Sequence, residues 1–172
     1  SSPLQWNSEM TATNNSSQIV QFISDDALQA QKIIVVDKPE YVTFEWTNYS
    51  TFPSLTYNVT YSYDEGSKSV KRIETINGTQ ESTSSYDSID AYEDVVIEKT
   101  GSLVKVTAIA TVDGIFENVK STSSRSVLTR VLVADEPPLP PTYFVAWDDF
   151  ETKNFIGGDG WENDWVVSGN AS

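Results

Sequence analysis

Two stretches that alternate strictly between apolar and polar residues fix what this chain can fold into. In SLTYNVTYSYD (54–64), Leu55, Tyr57, Val59, Tyr61 and Tyr63 share one parity, and Thr56, Asn58, Thr60, Ser62 and Asp64 share the other. In SLVKVTAIATV (102–112), Val104, Val106, Ala108, Ala110 and Val112 fall on one side. A period of two puts the two sets on opposite faces of an extended chain, so both stretches predict strands buried on one face. Shorter signals agree. YVTFEWT (41–47) alternates, with Val42, Phe44 and Trp46 on one face, which places Trp46 in the core. QIVQFI (18–23), KIIVV (32–36) and YEDVVIE (92–98) read as short strands, and DDALQAQ (25–31) as one helical turn capped by Asp25 or Asp26. DEGS (64–67) and DGI (113–115) read as turns. Asn77-Gly78 is a hairpin signal between SVKRIETI (69–76) and a second arm in ESTSSYDS (81–88). RSVLTRVLVA (125–134), apolar on both faces at its end, is the expected last strand. Strands recur about every ten residues and helical periodicity is nearly absent, which is the pattern of an antiparallel sandwich.

Residues 38–135 resemble a fibronectin type III or related immunoglobulin-like sandwich. VTFEW stands for the strand that carries the core Trp, TYNVTYSYDEG for the next, and LVKVTAIATVDG for the family's alternating later strand. Leu103 stands where that family carries its corner tyrosine. The resemblance implies a scaffold and no particular activity. The expected fold class is therefore all-β, an antiparallel Ig/fibronectin-III-like sandwich, followed by a Pro-rich spacer and the first strands of a second β module. Residues 1–135 form the sandwich. Residues 136–142, with Pro137, Pro138, Pro140 and Pro141, form a stiff spacer. Residues 143–172 are an incomplete second β module or appended strands.

That last stretch contains WDDFETKNFIGGDGWENDWVVSGNAS (147–172), with three of the five Trp residues. Its DDFE, GW and W-x-x-S-G elements resemble the start of an extracellular jelly-roll module of the carbohydrate-binding or laminin-G-like kind. By that resemblance Asp149 or Glu151 would sit on a structural Ca²⁺, and Asp159, in GDGWEND, is a third candidate oxygen ligand. The other reading of these carboxylates is a solvated acidic turn. Trp147, Trp161 and Trp165 are candidates for stacking on sugar rings, or are apolar anchors.

Composition excludes several chemistries. With net charge −14 the chain lacks the basic face that nucleic acid or an anionic membrane surface requires. It has neither Cys nor His, which removes disulfides, thiol nucleophiles, ordinary zinc sites and Ser-His-Asp catalysis. A sandwich of this size can be stable without a disulfide. There is no apolar run long enough to span a membrane. The first residues, SSPLQWNSEM, lack the features of a signal peptide, so a leader is expected to have been removed or to lie outside the chain. Lys71-Arg72 is a dibasic pair, but its place in an expected strand argues against processing there. No P-loop, G-x-S-x-G or G-x-G-x-x-G is present.

Six Asn-x-Ser/Thr sequons occur, at Asn14, Asn15, Asn48, Asn58, Asn77 and Asn170, against about two expected by chance from this composition. Asn58 falls on the polar parity of its strand and Asn77 in a hairpin turn, where glycans could stand clear of a core. These features lead to a non-catalytic module of a secreted or cell-surface glycoprotein. Its expected role is structural, adhesive or receptor-like protein contact, with exposed edge strands as docking surface. The alternative is a lectin-like carbohydrate-binding module, possibly accessory to a polysaccharide-acting enzyme. A hydrolase domain is disfavoured by the missing nucleophile motifs. The expected partner is a protein or a cell-surface or cell-wall glycan, and no cofactor beyond the possible Ca²⁺ is implied.

Overall fold

A computed structural model describes residues 3–130. About half of these lie in strands. The elements run in the order α1 (Pro3–Gln29), β1 (Lys32–Val35), β2 (Glu40–Asn48), β3 (Leu55–Asp64), β4 (Ser69–Ile76) and β5 (Thr79–Tyr86). A single 3₁₀ turn (Tyr92–Asp94), β6 (Val95–Thr100), β7 (Leu103–Val112) and β8 (Val119–Leu128) follow. The strands make two antiparallel sheets, β1-β2-β3-β4-β5 and β6-β7-β8. Each pairing joins strands that are consecutive in the chain. The arrangement is that of a mostly antiparallel β protein consistent with a sandwich.

The expected strands at 32–36, 41–47, 54–63, 69–76 and 102–112 are present within a residue or two. Register explains their alternation. Trp46 pairs with Tyr57, Phe44 with Val59 and Val42 with Tyr61, and β4 continues the same face, with Tyr61 opposite Arg72 and Tyr63 opposite Val70. Phe44, Val59, Tyr61 and Val70 are fully buried, whereas the opposite parity carries hydroxyl pairs such as Thr43–Thr60, at 2.9 Å. On the second sheet Val104, Val106 and Ala108 are fully buried. Burying each large side chain is worth about 1.5–3 kcal/mol. The Asn77-Gly78 turn is as expected. Both residues have positive φ, 50° and 83°, as the tight hairpin turn of this handedness demands.

Two expectations need correction. QIVQFI is not a strand, and DDALQAQ is not an isolated turn. Both belong to α1, a helix of 27 residues. Ala12, Ser16, Ile19, Ile23 and Ala27 recur at helical spacing and are all buried. Within QIVQFI, Ile19, Val20 and Ile23 share the buried stripe while Gln18 and Gln21 lie on the exposed side. Tertiary packing of that stripe overrides the strand preference of a β-branched run. Pro3 stands in the first turn, where its missing N–H costs nothing.

The last strand also differs. It is Val119–Leu128, displaced toward the N-terminus from the expected 125–134; residues 131–134 lie outside the described part. Its register with β7, from Val112↔Val119 to Leu103↔Leu128, is continuous. The residues facing the core from β8 include Ser121 and Ser123, because the helix that covers them meets them with hydroxyls. Thr13 Oγ1 lies 3.0 Å from Ser121 Oγ, and Ser16 Oγ lies 2.8 Å from Ser123 Oγ. One core joins Ile19 and Ile23 of α1, Phe44 and Tyr61 of the larger sheet, and Val104 and Val106 of the smaller. The expected spacer at 136–142 and the stretch 143–172 lie outside the described residues.

Candidate functional site

Two places among the described residues combine exposure or concavity with chemistry. The first lies where the last turn of α1 meets the inner face of the five-stranded sheet. Parity carries it. In SVKRIETI the residues that share the core face of β4 are Val70, Arg72, Glu74 and Ile76, so a cation and an anion are turned inward. Arg72 Nε donates to Asp26 Oδ2 at 2.8 Å and Arg72 Nη2 to Asp26 Oδ1 at 3.1 Å. Nη2 also donates to Glu74 Oε2 at 2.9 Å. The Tyr61 hydroxyl donates to Asp26 Oδ2 at 2.5 Å. Burial, with the negative Asp26 beside it, pushes the Tyr61 phenol far above its ordinary value. The Arg72 guanidinium is raised further by its bond to Asp26. Asp26 sits in the last turn of a helix that has no basic residue there, and Arg72 supplies from the sheet the cation that a helix C-terminus favours.

Beyond this cluster opens a cavity of about 470 Å³, whose walls include Trp46, Tyr57, Arg72, Glu74, Gln29 and Arg130. Trp46 and Tyr57 are stacked, with centroids 5.3 Å apart and rings 6° from parallel. Gln31 fixes the rim: its Oε1 accepts from the Thr47 N–H at 3.0 Å and its Nε2 donates to the Thr47 carbonyl at 3.3 Å. Trp46 is thus a partly buried neighbour of the core rather than a full member of it.

The second place is the opposite end of α1. Ser8 Oγ donates to the Asp113 carbonyl at 3.3 Å, which holds the first turns of the helix beside the β7–β8 loop. Leu4, Trp6 and Met10 are exposed on those turns, and Ile115 and Phe116 on the loop. Trp6 is 56 % exposed and Phe116 87 %. Gly114 shapes the loop, since a Cβ there would run into the Glu117 carbonyl oxygen.

The sequons are scattered. Asn14 and Asn15 lie on α1, Asn15 half-buried with its Nδ2 donating to Ser88 Oγ at 2.8 Å. Asn48 ends β2, and its Oδ1 accepts from the Ser50 N–H at 2.9 Å. Asn58 is on the outer parity of β3, half-buried, and Asn77 is exposed in its turn. Asn170, the stacking candidates Trp147, Trp161 and Trp165, and the candidate calcium ligands Asp149, Glu151 and Asp159 lie outside the described residues. Among the described residues no group of three acidic side chains is gathered as metal ligands would be, and no helix is long and apolar enough to cross a membrane.

Sequence reasoning did not find the Asp26–Arg72 cluster. Arg72 was visible only as half of a dibasic pair and Asp26 only as a cap. The usable signal was the pair of charges at Arg72 and Glu74 on the core parity of a strand. No protein-family model, curated protein or solved structure matches this chain.

Proposed function

We propose that this chain is a non-catalytic module of a secreted or cell-surface glycoprotein and works by protein contact. The observation that carries the reading is the set of large apolar side chains left exposed on the first turns of α1 (Leu4, Trp6 and Met10) and on the β7–β8 loop (Ile115 and Phe116), two segments joined by the Ser8–Asp113 bond. Large apolar side chains exposed on neighbouring segments of a strongly acidic protein cost solubility unless a partner covers them. Aromatic anchors of this kind dominate contact energy in protein interfaces. The partner is a protein with an apolar face of its own. The excess of sequons supports passage through a compartment where glycans are added, and the acidic charge argues against nucleic acid and anionic lipid. The immunoglobulin-like or fibronectin type III likeness contributes the scaffold of two antiparallel sheets over one core. The likeness is one of scaffold and not of strand order, since the pairings among the described residues all join consecutive strands.

The test is affinity capture from the native source with the intact chain and with Trp6→Ser/Phe116→Ser. A protein retained by the intact chain and lost with the double variant supports the reading. Equal retention by both contradicts it. Mass measurement of the secreted chain, before and after glycan removal, tests the glycoprotein part separately.

A further inference from the structure

We propose that the cavity between the end of α1 and the five-stranded sheet is a binding site for a neutral saccharide. The argument begins with its walls. Trp46 and Tyr57, half-buried and stacked so that one face of each ring is spent on the other, line one side of a space of about 470 Å³. That size lies within the range of small-molecule sites. Aromatic faces bind the apolar C–H faces of pyranose rings while their surroundings take the hydroxyls.

The surroundings here are polar and held in place. Arg72 is fixed by two bonds to Asp26 and one to Glu74. Gln31 is fixed by both ends of its amide on Thr47. Gln29, the last residue of α1, is exposed, and its amide makes no hydrogen bond among the described residues. It lines the cavity with a donor and an acceptor ready for hydroxyls.

Charge narrows the class. The lining carries two carboxylates, Asp26 and Glu74, and two guanidinium groups, Arg72 and Arg130. They cancel, and the inner pair is bonded to itself. A phosphate or a free anion would find little net attraction, whereas a hydroxyl-rich neutral ring can both donate to carboxylate and accept from guanidinium. Preorganised groups of this kind bind without the entropy cost of ordering them.

The experiment is calorimetric titration of the full chain with neutral mono- and disaccharides (glucose, galactose, mannose, N-acetylglucosamine and their dimers), with glucuronic acid as the charged control. The variants are Tyr57→Leu, Gln29→Ala and Arg130→Ala. Gln29 and Arg130 are exposed, so their variants fold even if Tyr57→Leu does not. The expected result is at least one neutral sugar with Kd of about 1 mM or tighter, weakened about tenfold by Gln29→Ala and unchanged by Trp161→Ala. Three results overturn the proposal: no neutral sugar bound, binding of glucuronic acid alone, or binding that is lost with Trp161→Ala and indifferent to the cavity variants.

Discussion

Arg72 closes on Asp26 with two hydrogen bonds, at 2.8 and 3.1 Å, and so ties the last turn of α1 to the fourth strand of the larger sheet. Both side chains are largely withdrawn from water, at 14 % and 8 % exposure. Removing Arg72 leaves the buried Asp26 charge without its cation, which costs about 3–5 kcal/mol, whereas removing Asp26 leaves Arg72 still paired with Glu74 at 2.9 Å. Arg72→Met is expected to lose that much in urea unfolding and Asp26→Asn less. The double variant Asp26→Leu/Arg72→Met is expected to lose much less than the sum. Additive losses would mean that the pair is not coupled.

Acid acts elsewhere, at the β3–β4 turn. The bond from Lys71 holds the Asp64 carboxyl down at about 2, helped by the Ser67 backbone N–H. Its folded pKa is below the unfolded value of about 3.9, so the stabilisation is present above that value and fades as pH falls toward 2. Lys71→Met is expected to raise the Asp64 pKa, read by NMR titration of its carboxyl carbon. An unchanged pKa would contradict the assignment.

Base acts on the core. Burial raises Tyr61 and Tyr41 well above the ordinary phenol, Tyr61 further through Asp26 and Tyr41 through Tyr92. An acid that is neutral when protonated, and whose folded pKa is raised, stabilises fully below the unfolded value of about 10 and loses that contribution as pH rises above it. Tyrosinate absorbance from these two residues should therefore appear together with loss of near-UV circular dichroism. Their ionisation near pH 10 in a folded protein would contradict their placement.

The helix has a test of its own. Gln18 is exposed in the middle of α1, and Gln18→Pro removes a helical hydrogen bond and clashes with the preceding turn, at a cost of about 3 kcal/mol. Ile19→Ala should cost about 2–5 kcal/mol, because Ile19 is fully buried. Unchanged midpoints in thermal unfolding would argue that residues 18–23 do not pack as a helix.

The sheets were legible because strand alternation is local. Val42, Phe44 and Trp46 announce their face without reference to anything distant. The helix was not, because its buried stripe includes Ser16, Ser24 and Asp26. Ser24 satisfies itself by donating to the Val20 carbonyl at 2.6 Å, Ser16 meets Ser123 across the interface, and Asp26 meets Arg72 from a strand 46 residues away. Each is a polar residue whose burial is offset by a partner that sequence spacing does not reveal. The displaced last strand has the same cause: Ser121 and Ser123 look like surface residues until the helix hydroxyls are set against them. The cavity by Trp46 and Tyr57 was invisible for a related reason. It exists only because the helix ends where β2 and β3 are still extending.

Contact through the apolar side chains exposed on α1 and the β7–β8 loop is tested most directly by photo-crosslinking in the native source, with a benzophenone amino acid placed in turn at positions 6, 116 and 75. The first two are on those segments, and Thr75 lies on the larger sheet. The account predicts the same discrete adduct, with a partner protein, from positions 6 and 116 and none from 75. No adduct from 6 and 116, or the same adducts from all three, would contradict it.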